Sequence, residues 1–165
     1  MERIFGESVQ RACGLAGDVP SITLVLGAGN VSAIPITDAL TKIFQLNQAV
    51  ILKMSPVNEY VGSLFEEAFA PLVEADLLRI IYGGTEVAAD LIASPDVDGI
   101  HITGADQTHD AIVWGAPQPE RDSRKAESRP LLQKPITSEL GNVSPWIIVP
   151  GNYSRRQLRF QAENI

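Results

Sequence analysis

The sequence predicts an α/β protein built on an open parallel sheet with helices on both faces, and three observations carry that expectation. Short apolar runs rich in Val and Ile alternate with longer stretches of helical period, the rhythm of repeated βα units. A glycine-rich turn, "GAGNVS" at 27–32, stands between a strand-like run and a helix-like one. The chain has 165 residues and 45% hydrophobic content, enough for one domain with a sizeable core and too little for two. The expected arrangement is Rossmann-like.

Each element follows from its local pattern. "SITLVLG" (21–27) reads as a buried strand, and a helix follows over 34–46, where Leu40, Ile43 and Phe44 recur at helical spacing. "AVILK" (49–53) is the second strand. Pro56 and Asn58 end it, and 59–75 reads as one helix with Val61, Leu64, Phe65, Ala68 and Leu72 on its inner face. "LLRIIYGG" is a third strand closed by Gly83 and Gly84. "EVAADLIAS" is a short helix stopped by Pro95, and "DGIHITG" (98–104) is a fourth strand. A helical turn or two is expected over 106–114. Residues 115–130 combine prolines with mixed charge and read as an exposed loop or insertion. "PITSEL" and "PWIIV" read as two further strands. The tail reads as a helix capped by Ser154.

Composition excludes some partners. The net charge of -7 opposes a nucleic-acid-binding face, and the Arg121, Arg124, Lys125 and Arg129 cluster is interleaved with Glu120, Asp122 and Glu127, as a solvated surface is. Cys13 is the single cysteine, so no internal disulfide is expected and a reducing, cytoplasmic setting fits. There is no apolar run long enough to span a membrane, and the N-terminus lacks the pattern of a secretory signal.

Several residues can carry chemistry. "GAGNVS" approximates a dinucleotide fingerprint, with Ser32 where the third glycine would stand; glycine there lets backbone N–H groups approach a pyrophosphate at a helix N-terminus. Lys53 ends the second strand at the sheet edge where open α/β folds bind ligands, and can meet a phosphate or a ribose hydroxyl. Thr103-Gly104 repeats the strand-to-helix geometry. His101, His109, Asp106 and Asp110 follow no metal-ligand spacing, and no metal is expected.

Taken in order, "VLGAGNV", "VILKMSP", "IIYGGTEVAADLIASPDVDGIHITGA" and "KPITSELGNVSP" resemble the cofactor-binding domain of the aldehyde dehydrogenase superfamily over about residues 20–150. The resemblance implies NAD or NADP as cofactor and an aldehyde as the substrate of the full enzyme, which in this family is a homo-oligomer. It implies that Asn30 helps to stabilise an oxyanion and that Glu139 activates the hydrolytic water. It further implies that Lys53 and Ser55 meet the adenosine ribose, and that Gly84, Thr103, Gly104, Leu140 and Gly141 belong to the cofactor seat. Pro56 stands where the family has Glu, Ala105 where it has Ser, His109 where it has Gly, and Asn142-Val143 where it has Gly-Lys. The family's nucleophilic cysteine would fall beyond Ile165, so the chain reads as a truncated and inactive part of such an enzyme. Two other readings stay open: an acyl-CoA-reductase-like relative, and a nucleotide-binding or structural module without redox activity.

Overall fold

The computed structural model describes residues 21–117, 119–141, 147, 149 and 151–163. Five strands form one parallel sheet in the order β3-β2-β1-β4-β5: β1 (Ile22–Leu26), β2 (Ala49–Lys53), β3 (Leu78–Ile81), β4 (Gly99–Gly104) and β5 (Ile136–Leu140). The chain runs outward from β1 to β3 and then crosses back to β4 on β1's other side. That reversal puts a crevice at the C-terminal ends of β1 and β4, where ligands settle in open sheets of this kind.

Period-2 alternation divides the inner strands between two cores. Leu24, Leu26, Ala49, Ile51, Ile100 and Ile102 face one side, where they meet Leu91 and Val97. Val25, Val50, Leu52 and Leu78 face the other, against Ile36, Ala39 and Ile43. Leu24, Ile51 and Leu52 are wholly buried, and each contributes roughly 1.5–3 kcal/mol of transfer free energy. Strands covered on both faces are apolar at most positions, with Thr23, Lys53 and His101 as buried polar exceptions, which is why they read so clearly in the sequence.

The helix α1 (Ile34–Leu46) takes Pro35 in its first turn, where a missing N–H costs nothing, and ends at Asn47 in the left-handed region (φ 52°). Ile43 packs inward as expected, whereas Phe44 is exposed. The single helix expected over 59–75 is three pieces: a 3₁₀ segment (Pro56–Val61), α2 (Gly62–Ala68) and α3 (Ala70–Glu74). Pro71 has no N–H to continue the ladder, so the chain breaks at Phe69 and restarts. The break rotates the pattern: Val61, Phe65, Phe69 and Leu72 meet the core while Leu64 points to solvent.

Helix α4 (Thr85–Ala93) follows β3, and α5 (Asp106–Trp114) follows β4. Lys134 Nζ donates to the carbonyl of Ile92 (2.7 Å) at the end of α4, tying the approach to β5 onto that helix. Residues 115–130 are not a loop throughout, because 119–126 form an exposed helix, α6 (Pro119–Ala126). Its sequence has the end charges a helix favours, Glu120 and Asp122 in the first turn and Arg124 and Lys125 in the last. Arg124 also donates to the carbonyl of Trp114 (3.1 Å). The final helix, α7 (Arg155–Glu163), begins where Ser154 Oγ accepts the N–H of Gln157 (3.3 Å), the expected cap. Cys13 and the expected strand "PWIIV" as a whole lie outside the described residues. No helix among the described residues is long and apolar enough to cross a membrane.

Candidate functional site

Two clefts adjoin at the C-terminal ends of β1 and β4. One, of about 410 Å³, is lined by Asn30, Thr103, Gly104, Glu139 and Gly141. The other, of about 290 Å³, takes in Lys53 and Ser55 and shares Thr103 and Gly104 with the first. Gly29 and Ala105 also border both. Residues from four strand ends, those of β1, β2, β4 and β5, therefore meet at this edge of the sheet.

The turn after β1 is built by close approach. Gly27 N–H donates to the Lys53 carbonyl (3.0 Å), and a Cβ at 27 would press on that oxygen and on Pro35. A Cβ at Gly29 would lie 2.9 Å from Ser55 Oγ, so glycine lets the turn sit against the end of β2. Asn58 Nδ2 braces the same turn by donating to the Ala28 carbonyl (3.0 Å). Asn30 is thus held at the cleft while its own side chain is exposed and makes no hydrogen bond to a described residue. The side chain of Glu139, a residue paired with Thr103 in the β4–β5 register, is likewise exposed and makes no hydrogen bond to a described residue. A turn follows it, with Gly141 at φ +65°.

Lys53 is only 6% exposed. Burial lowers its pKa from the ordinary 10.5, and the carboxylates of Glu59 and Glu86 work against that shift. Glu86 is held below the usual carboxylate range by N–H groups, its own and that of Gly84, and by Lys53. The folded chain consequently gives up the Lys53 proton at lower pH than the unfolded chain. Stability rises with pH between the lowered value and 10.5, as the cost of keeping a desolvated cation is relieved. In Lys53→Met this component should vanish and the unliganded chain should melt at higher temperature near neutral pH, as thermal unfolding followed across pH would show.

Gly84 and Leu140 do not line either cleft. Gly84 N–H is turned to Glu86 Oε1 (3.0 Å), and Leu140 closes β5 with a partly exposed side chain. Thr85, Ala88 and Thr108 line the smaller cleft without having been expected there. Their signal in the sequence was position alone, within the first turn of the helices that follow β3 and β4.

A polar layer lies behind Glu139. His101 and Thr103 on β4 face the same side as Thr137 and Glu139 on β5, and α1 crosses over them with Asp38 and Lys42 one turn apart. Thr103 Oγ1 donates to Asp38 Oδ2 (2.8 Å), Lys42 Nζ donates to Thr137 Oγ1 (3.0 Å), and His101 Nδ1 lies 2.8 Å from the same hydroxyl. Asp38 Oδ2 is 3.6 Å from His101 Nε2. His109 instead neighbours Asp110, 3.7 Å away, so the two histidines do not converge.

The aldehyde dehydrogenase family model matches residues 24–154. Among solved structures, succinic semialdehyde dehydrogenase from Streptococcus pyogenes, in complex with NADP+, is 18% identical with a TM-score of 0.55, over 82% of this chain and 30% of that one. Proline Utilization A from Corynebacterium freiburgense is 18% identical with a TM-score of 0.55, over 81% and 13%. AldH of Staphylococcus aureus in a substrate-bound state is 16% identical with a TM-score of 0.52, over 84% and 31%. These likenesses establish the fold, and the chain spans less than a third of the length of each. No curated protein matches the sequence.

Proposed function

The chain belongs to the aldehyde dehydrogenase family, and from that premise we propose that it forms the NAD(P)-binding part of an oxidoreductase that converts an aldehyde to a carboxylic acid through a cysteine thioester. The observation that carries this reading is the pair of clefts sharing Gly104, with Lys53 in one and Asn30 and Glu139 in the other. A dinucleotide spans two such subsites, its adenosine end near Lys53 and its reactive end near Asn30 and Glu139. NAD(P)+ bound there supplies the hydride acceptor.

In this reading each residue acts by position. Gly104 and the N–H groups that follow it leave room for a pyrophosphate at the start of α5. The Asn30 amide donates to the oxygen of the aldehyde as negative charge develops on it. Glu139 takes a proton from the water that opens the thioester, and its exposure leaves it free to reach that water. A carboxylate at this place supports the hydrolytic reaction over transfer to a thiol acceptor such as CoA.

Calorimetric titration of the chain with NAD+ and NADP+ tests the proposal. Saturable binding of at least one is expected, and no binding of either at millimolar concentration would overturn it. Glu59 and Glu86 beside Lys53 make the adenosine end less hospitable to a 2′-phosphate than to a ribose diol, so NAD+ should bind more tightly. Glu86→Gln should narrow that preference by roughly two- to fivefold, as befits a solvated charge. Lys53→Met should weaken binding of both cofactors about tenfold or more, by loss of a hydrogen bond from a charged group. Paired with a higher melting temperature, that loss would separate a ligand-directed lysine from a structural one.

A further inference from the structure

We propose that Asp38, His101 and Glu139 form a three-ligand site for a divalent transition-metal ion of the zinc class, with the fourth position open to water. Among the described residues these three are the group whose donor atoms, one from each side chain, lie within 4.8 Å of one another. One imidazole and two carboxylates suit Zn2+, Co2+ or Mn2+, whereas hard cations such as Mg2+ and Ca2+ prefer an all-oxygen set. The His101 side chain is 8% exposed and Asp38 13%, so two donors are fixed by burial and the third, Glu139, can swing in from the rim. Metal–ligand bonds of about 2.0–2.2 Å place tetrahedral donors about 3.3–3.6 Å apart. Asp38 Oδ2 and His101 Nε2, at 3.6 Å, already have that spacing.

The surrounding hydrogen bonds are those a metal site requires. In the tautomer with its proton on Nδ1, His101 donates to Thr137 Oγ1 and turns the Nε2 lone pair toward Asp38. Lys42 donates to the same oxygen, holding that hydroxyl in place. Thr103 donates to Asp38 and fixes its carboxylate. Partners of this kind orient ligands and raise metal affinity. Binding at this site stands apart from the cofactor proposal. One consequence rests on it: an occupied site takes the Glu139 carboxylate away from water activation, so metal binding and thioester hydrolysis exclude each other.

The test is titration of the metal-free chain with CoCl2, followed by visible d–d absorption, and with ZnCl2 by calorimetry. Saturable one-to-one binding of Co2+, displaced by Zn2+ and not by excess Mg2+, is expected. Glu139→Gln, a change at an exposed side chain, and His101→Ala, both checked for folding by circular dichroism, should both abolish it. Thr137→Val should weaken it roughly 10–100-fold. No saturable Co2+ or Zn2+ binding, Mg2+ binding of equal strength, or binding unchanged in both Glu139→Gln and His101→Ala would overturn the proposal. NAD+ and NADP+ titrations of the same samples keep the two readings separate: a chain that binds dinucleotide and no metal sinks only the metal site, and the converse sinks only the cofactor seat.

Discussion

Glu139→Gln, introduced into a full-length enzyme carrying this segment, should lower steady-state aldehyde oxidation about 10²–10⁴-fold, the usual contribution of a positioned general base. Cofactor affinity and stability should stay as they were. The glutamine keeps the shape of the side chain and loses only the capacity to accept a proton. Because the Glu139 side chain is exposed and makes no hydrogen bond to a described residue, the change leaves no buried group unsatisfied. The distinguishing readout is rapid mixing. Hydride transfer precedes hydrolysis of the thioester, so a first turnover of reduced cofactor should still appear as a burst, after which the acyl-enzyme accumulates. Unchanged turnover would remove Glu139 from the mechanism. Loss of the burst as well would move its action to the first half of the reaction.

Where sequence and structure agree, burial is the reason. The strands over 22–26, 49–53 and 99–104 are covered on both faces, so most of their positions are apolar and their limits read to within a residue, Thr23, Lys53 and His101 being the buried polar exceptions. The misreadings lie where that constraint is relaxed. Helix α6 is polar all round and offers no hydrophobic period; only its terminal charges betray it. At 59–75 an apolar stripe reads as one helix unless Pro71 is allowed to end it, and the stripe then assigns Leu64 to the wrong side.

The cleft residues share a different kind of legibility. Asn30, Lys53, Gly104 and Glu139 each sit at a strand's C-terminal end or just beyond it, and a parallel sheet must bring such ends to one edge. The polar layer behind Glu139 had no comparable signal. Asp38 and Thr103 are 65 positions apart, and Lys42 and Thr137 are 95 apart. Their meeting depends on the face α1 presents and on the β4–β5 register, neither of which a linear pattern states. In the sequence His101 was one alternating residue of a strand; in the fold it stands between two threonines and a carboxylate.

Asn30→Ala should strike the step that Glu139→Gln spares. Loss of an amide donor aimed at a developing oxyanion costs about 10²–10³ in rate, so the burst itself should slow by that factor. The acyl-enzyme, once formed, presents a second oxyanion during hydrolysis, and steady-state turnover should fall at least as far. The fold has little to lose. Asn30 is exposed and its amide makes no hydrogen bond to a described residue, while the turn that carries it is held by Gly27, Gly29 and the Asn58–Ala28 bond. Cofactor affinity should therefore persist, and the melting temperature should move little. A burst of normal rate in Asn30→Ala would mean that the oxyanion is held by other donors and that Asn30 merely borders the cleft. A slow burst in Asn30→Ala beside a normal one in Glu139→Gln would assign the two walls of the 410 Å³ cleft to successive halves of one reaction. Structural damage would not produce that contrast, because it would slow both steps in both variants.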